Sequence, residues 1–169
     1  AQRRRGRYRG PRTGSRTVCV FGTGVQARAQ LAEALRALPS LDVVRYVSRS
    51  GKADRSFESG FEASCEIRHD MNADRAVAES DGIITATPGG GPLFEGAAVS
   101  PGTQRDGVGT DTGGEGELPA GLPERGRWVV DDSARSRSIG ERQWAPETPS
   151  VESGRLLAGQ SAFSRSDTD

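Results

Sequence analysis

The chain has 169 residues, 23 basic and 23 acidic, with no formal net charge and an apolar fraction of only 33%, a length that suits one domain by the usual prior of ~100–200 residues. No stretch nears the ~18 consecutive apolar residues that a membrane span needs, and the arginine-rich start has no apolar run, so a transmembrane protein and a secretory signal peptide are both excluded. Cys19 and Cys65 are too few for a disulfide framework, which makes a reducing cytoplasm the default compartment.

The zero net charge hides a polarity. Seven arginines and no acid fall in residues 1–16, so the rest of the chain carries −7. Lys52 is the sole lysine, a bias that reads as GC-rich codon usage. Residues 1–16 hold too few apolar side chains to offset their ordering entropy. A basic arm for nucleic acid or a membrane surface is one reading of them. A disordered leader is the other, and no aromatic-interleaved module follows to support the first. Neither nucleic acid nor membrane is therefore expected as a partner.

From residue 17 the pattern alternates strand and helix. Residues 17–21, Thr-Val-Cys-Val-Phe, are a continuous apolar run of the kind buried on both faces. Residues 25–38 follow as a helix, with Leu31, Leu35 and Leu38 on one face and Pro39-Ser40 ending it. A strand over 43–47, a weaker helix over 52–61, a short strand over 65–67 and a helix over 73–79 starting near Met71 or Asn72 come next. Residues 82–86 form a fourth strand. A late strand over 128–130 ends in Asp131-Asp132, which would cap a helix from Ser133. Beyond residue 143 the chain is polar again, with room for one short helix over 151–157. This order implies an α/β fold, a doubly wound and mostly parallel sheet with crossover helices.

The turn after the first strand carries the chemistry. Gly22-Thr23-Gly24-Val25-Gln26-Ala27 is G-x-G-x-x-A, placed after a strand and opening a helix, which is the context a dinucleotide-binding fingerprint requires. Gly22 suits the tight turn, Gly24 lets backbone approach a pyrophosphate, and Ala27 keeps helix and strand close. The helix N-terminus offers N–H groups and partial positive charge to the phosphates. An acid at the end of the second strand would favour NAD, but Asp42 stands at the strand's start. The end reads Ser48-Arg49-Ser50, where Arg49 suits a 2′-phosphate. The cofactor is thus NAD or NADP, with NADP favoured. Thr85-Ala86-Thr87, after the fourth strand, falls at the edge where doubly wound sheets bind ligands, and Thr87 is placed to contact the ribose or nicotinamide side.

These stretches resemble the ornithine cyclodeaminase/mu-crystallin family. The matching residues are 20–30, Val47-Ser48-Arg49-Ser50, Thr85-Ala86-Thr87-Pro88, Pro92-Leu93-Phe94, Pro101-Gly102-Thr103, Val108-Gly109-Thr110-Asp111, Gly114, Glu117-Leu118 and Val129-Val130-Asp131-Asp132. The resemblance implies a Rossmann-like nucleotide-binding domain over 17–142 and adds Val108 to the cofactor-binding residues. It implies that Asp111 is the acid/base that moves protons at the substrate amine. It implies hydride transfer at the α-carbon of an amino or imino acid. Examples are ornithine going to proline and ammonia, and alanine dehydrogenase or ketimine reductase chemistry. A homodimer is implied by the family architecture. The family's substrate and dimerisation domain has no counterpart here, so the resemblance suggests a truncated chain whose residues 143–169 lead toward it. The alternative is a module that binds NADPH without catalysis, or an inactive fragment. Two departures stand out: Gln104-Arg105-Asp106 replaces the usual His-Ile-Asn, and Glu115 replaces a usual lysine.

Other candidates are set aside. His69 next to Asp70 reads as a surface pair. One histidine and two separated cysteines give no metal-ligand spacing. Cys19 and Cys65 read as small buried hydrophobes.

Overall fold

Five strands, β1 Thr17–Phe21, β2 Val43–Val47, β3 Glu66–His69, β4 Gly82–Thr85 and β5 Gln104–Gly107, form one parallel sheet in the order β3-β2-β1-β4-β5. They belong to a computed structural model that describes residues 14–108 and 112–161. The register sets Phe21 beside both Val47 and Thr85, and Thr85 beside Gly107, so the carboxyl ends of four strands share one edge.

The continuous apolar run of β1 follows from its place at the centre. Val18 and Val20 enter one core cluster with Ala27, Leu31, Val44, Tyr46 and Phe57. Cys19 and Phe21 enter the cluster on the other face with Ala76, Val77, Ile83 and Phe94. Helix α1 (Val25–Ala37) covers the first face and buries Ala27 and Leu31 completely. Full burial of a leucine contributes roughly 1.5–3 kcal/mol. The helix stops where the Leu38 N–H bonds the Ala34 carbonyl, one residue before Pro39.

Helix α2 (Arg55–Ser59) packs Phe57 onto the α1 side, and α3 (Ala73–Ala78) packs Ala76 and Val77 onto the opposite face. After β3 the chain therefore crosses to the far side of β1, and the order of the strands reverses between β1 and β4. Such a reversal opens a crevice outside the carboxyl ends of the strands. Three helices start on side-chain caps. Asp54 accepts from the Phe57 N–H, Asn72 from Arg75 and Asp132 from Arg135. Each cap satisfies an N–H that the helix itself leaves unpaired.

Four features depart from the sequence reading. The polar β5, Gln-Arg-Asp-Gly, was not anticipated as a strand. Its place comes from the free backbone edge of β4. The late strand β6 (Trp128–Val130) does not join the main sheet. It pairs in parallel with β7 (Ser150–Glu152), setting Val129 beside Val151, with helix α5 (Ser133–Ser138) between them in sequence. Residues 151 and 152 are thus extended, and only α6 (Ser153–Leu157) is helical there. A ladder partner outweighs helix in a segment too short to repay nucleation. Finally, His69 does not pair with Asp70. Asp70 is buried and bonds Arg45 (2.7 Å) and Arg75, while the His69 ring packs at a tilt against Tyr46, centroids 5.1 Å apart.

The start and end of the described chain are tied down by arginines. The Arg16 N–H donates to Asp81 (2.8 Å), its carbonyl accepts from Asp42 and Val43, and its guanidinium pairs with Asp42. Arg142, 1% exposed, donates to Ser136 Oγ (3.0 Å) and to the carbonyls of Pro146 (3.2 Å) and Thr148 (2.6 Å). These bonds and the β6–β7 pair run across residue 142. A short helix, α4 (Leu122–Arg125), precedes β6.

Candidate functional site

The glycine turn sits at the mouth of the crevice. Gly22 has φ +101°, and a Cβ on it would lie 2.5 Å from the Ala86 carbonyl oxygen. Only glycine combines that backbone with that approach. The Gly22 N–H is held by the Val47 carbonyl at 3.1 Å. Gly24 is different. Its φ is −74°, open to any residue, and a Cβ there would meet nothing within 4 Å. Neither strain nor packing calls for glycine at 24. Close approach of a group from outside the chain is the remaining physical reason, and that fits a pyrophosphate. No side chain caps the N-terminus of α1, so its first turn has no side-chain acceptor at this end of the sheet. Val25 and Gln26 are exposed on this turn, and Ala27 is fully buried beneath it.

Arg28 fixes the turn to its neighbours. Its Nε donates to the Thr23 carbonyl (3.1 Å) and its Nη1 to the Ser56 carbonyl (2.9 Å), while the guanidinium lies over the Phe57 ring at 5.3 Å. Next to it, the ends of β2 and α2 enclose an open cleft of about 540 Å³ lined by Thr23, Ser48, Arg49, Ser50, Lys52, Asp54 and Arg55, among others. Three cations line it against one carboxylate. That carboxylate, Asp54, is already committed. The Phe57 N–H and the Thr23 hydroxyl hold it below the usual carboxylate range. The Ser48 hydroxyl donates to the Lys52 carbonyl (2.6 Å) and lies 3.2 Å from His69 Nε2. The Ser50 hydroxyl accepts from the Lys52 N–H (3.3 Å). Arg49 is exposed and reaches into the cleft. Asp42 lies at the other end of β2, as its sequence position implies.

On the other side of the turn, Thr85 is buried and in register with Phe21, and the Ala86 N–H continues the ladder to the Phe21 carbonyl (3.0 Å). The Thr87 hydroxyl donates to Glu117 Oε1 at 2.6 Å, and the Thr87 N–H donates to the same oxygen at 3.0 Å. The Thr87 proton is thus spent inside the protein, and toward the crevice the hydroxyl has only lone pairs left. Val108, 45% exposed, extends β5 by bonding the Thr85 carbonyl (3.0 Å). Asp111 lies outside the described residues. The structure therefore brings the 22–27, 48–50, 85–87 and 108 positions to one edge of the sheet.

The buried Glu117 and Glu141 and the half-buried Arg105 form a polar cluster that the sequence reading missed. Glu117 is fully buried and Glu141 is 5% exposed. The Glu141 carboxylate accepts from the backbone N–H of Glu117 (2.5 Å) and of Leu118 (3.2 Å). Arg105, from β5, lies 4.0 Å from Glu141 and over the Trp128 ring at 5.9 Å. Burial pulls its guanidinium below the ordinary arginine range, opposed by Glu141, Glu117 and Asp106. It still carries its charge, because the starting value is so high. These residues lie far apart in sequence without periodicity, so no local pattern could announce them.

A family model described as the ornithine cyclodeaminase/mu-crystallin family matches residues 7–169. The chain belongs to this family. Ornithine cyclodeaminase of Agrobacterium fabrum is 29% identical to it over 92% of this chain and 45% of its own length. Iminosuccinate reductase of Paracoccus denitrificans is 32% identical, covering 82% of this chain and 43% of its own. Among solved structures of the family, an archaeal alanine dehydrogenase dimer with bound NAD superposes with a TM-score of 0.80 and 26% identity, over 94% of this chain and 51% of that one. The fold is thus that of the Rossmann-like, NAD-binding part of such enzymes. The chain spans about half the length of the curated relatives it matches.

Proposed function

We propose that this chain is the NAD(P)-binding domain of an enzyme that transfers hydride at the α-carbon of an amino or imino acid. The observation that carries the reading is Gly24, a glycine with ordinary backbone and empty space at its Cβ, on an uncapped helix at the reversal of the strand order. The names of the relatives, a cyclodeaminase, an imino-acid reductase and an amino-acid dehydrogenase, support the substrate class.

The dinucleotide, when bound, supplies the hydride acceptor or donor. Gly22 shapes the turn, and Thr23, Gly24, Val25, Gln26 and Ala27 would hold its pyrophosphate through backbone N–H groups and the positive end of α1. Ser48, Arg49 and Ser50 receive the adenosine ribose. Arg49 and Lys52 line the same cleft, and a 2′-phosphate between them makes NADP the favoured form. Thr85, Ala86, Thr87 and Val108 flank the nicotinamide half. Asp111 takes up and returns the proton of the substrate amine. Residues 17–142 make up the body of this domain, which the β6–β7 pair carries on to residue 152, and the stretch beyond is the passage toward a substrate and dimerisation domain. The intact enzyme works as a homodimer in the cytoplasm. No helix among the described residues is long and apolar enough to cross a membrane.

Titration of the chain with NADPH and NADH, read by nicotinamide fluorescence, tests the binding claim, and NADPH is expected to bind tighter. Absence of binding by both would overturn it. The acid/base claim is tested by Asp111→Asn, which should leave dinucleotide binding intact and abolish turnover of the amino or imino acid that the unaltered enzyme accepts.

A further inference from the structure

We infer that Glu117 is a positioning residue for the nicotinamide half of the cofactor, acting through Thr87. The inference rests on the dinucleotide reading above.

The argument starts from the geometry of the crevice. The glycine turn takes the pyrophosphate and the cleft at the end of β2 takes the adenosine side. The other half of a dinucleotide must then cross the ends of β4 and β5. The backbone there is the loop that begins at Ala86, whose carbonyl closes on Gly22. Past Thr85 that loop has one ladder bond, from the Ala86 N–H to Phe21. The next two polar groups, the Thr87 N–H and Oγ1, are both gathered by one oxygen of Glu117, and Thr87 Oγ1 in turn accepts from the Gly89 N–H (3.3 Å). Glu117 thus sets where the loop runs once the sheet has ended.

Glu117 is itself held. Its N–H donates to Glu141 and its carbonyl accepts from the Leu93 N–H at 2.9 Å. Its Oε2 is buried without a hydrogen-bond partner. A carboxylate so placed is costly unless a cation shares the site. Arg105 supplies that cation, and its Nε is likewise buried and unpartnered. Its own ion pair is with Glu141 at 4.0 Å, the carboxylate that holds the Glu117 N–H, and its Nη2 lies 3.5 Å from the Thr85 hydroxyl.

The test compares two ligands. ADP-ribose occupies the pyrophosphate and adenosine positions, whereas NADH also needs the loop after β4. Dissociation constants for both are measured by calorimetry on the full chain, alongside thermal melts. Glu117→Met is expected to weaken NADH about tenfold or more while ADP-ribose changes by less than about twofold. Glu117→Gln keeps a carbonyl oxygen for Thr87 and is expected to retain most of the NADH affinity. Thr87→Val removes the hydroxyl's bond to Glu117, and the Gly89 bond with it, without leaving a void. It gives a smaller selective loss and decides the matter if Glu117→Met does not fold. Equal losses for both ligands, or no loss of NADH affinity, would overturn the inference while leaving the dinucleotide reading intact. Failure of the unaltered chain to bind either ligand would overturn that reading and the inference with it.

Discussion

Gly22 and Gly24 share a motif but fail differently when a methyl is added. At Gly24, alanine costs about 0.5–1 kcal/mol as a poorer N-cap than glycine. It regains about 0.4–1 kcal/mol by narrowing the unfolded ensemble, since φ −74° suits it and its Cβ has free space. The two nearly cancel, so the melting temperature without ligand should move by no more than about 2–4 °C. At Gly22, alanine must adopt φ +101° and push against a backbone oxygen 2.5 Å away. That costs at least ~2 kcal/mol, or more than about 4 °C. Ligand separates the variants further. At one hundred times its dissociation constant, NADPH stabilises the unaltered chain by about 2.7 kcal/mol, a rise of roughly 5–10 °C. Gly24→Ala should keep its own melt and lose that rise, because the methyl occupies the space the pyrophosphate needs. Scanning calorimetry with and without cofactor reads both quantities. A Gly24→Ala chain that melts many degrees lower without ligand, or that keeps the full rise with it, would refute the argument.

Arg49→Ala should weaken NADPH about tenfold and leave NADH nearly unchanged, and the loss should shrink at high salt, as expected of a charge contact; parallel titrations check this. Asp70 gives the fold an acid limb. The Arg75 and Arg45 hydrogen bonds outweigh burial and hold its carboxyl below the usual range. Its contribution is therefore full above the unfolded value near pH ~4 and is lost as pH falls through the lower native value. Asp70→Asn should cost about 1.5–3 kcal/mol at neutral pH and flatten the decline below pH ~4, as measured by urea unfolding across pH. Arg142→Met removes three hydrogen bonds from the turn that closes onto β7 and should cost on the order of 2–3 kcal/mol, with the greatest loss of hydrogen-exchange protection in residues 128–157.

Much of the sheet was legible because its signals are local. The run at 17–21 is apolar on both faces for a visible reason, and the glycine turn is recognisable from its place between strand and helix. The Asn72 and Asp132 caps stood next to the helices they start. What escaped the sequence depends on distant partners. Gln104–Gly107 becomes a strand only because β4 offers an edge, and nothing in its side chains says so. Val151 pairs with Val129 across a helix, which no window of a few residues can reveal. His69 was read with its neighbour Asp70, yet Asp70 is claimed by Arg45 and Arg75 from other elements. The Glu117–Thr87 contact likewise joins two loops with no shared periodicity.

The central place of β1 has a consequence for biosynthesis. Of the five strands in the main sheet it is synthesised first, yet its two neighbours are β2 and β4, and β4 is complete only at Thr85. Until then the most apolar strand of the main sheet has one unpaired edge and a half-covered face. Parallel pairing of this kind is slow, because loop closure precedes its reward, and the waiting chain is exposed to aggregation. Helix α1 and β2, translated next, form the earliest available shelter by covering one face and one edge of β1. A nascent chain stalled before residue 85 should therefore engage chaperones strongly, and release should coincide with the arrival of β4.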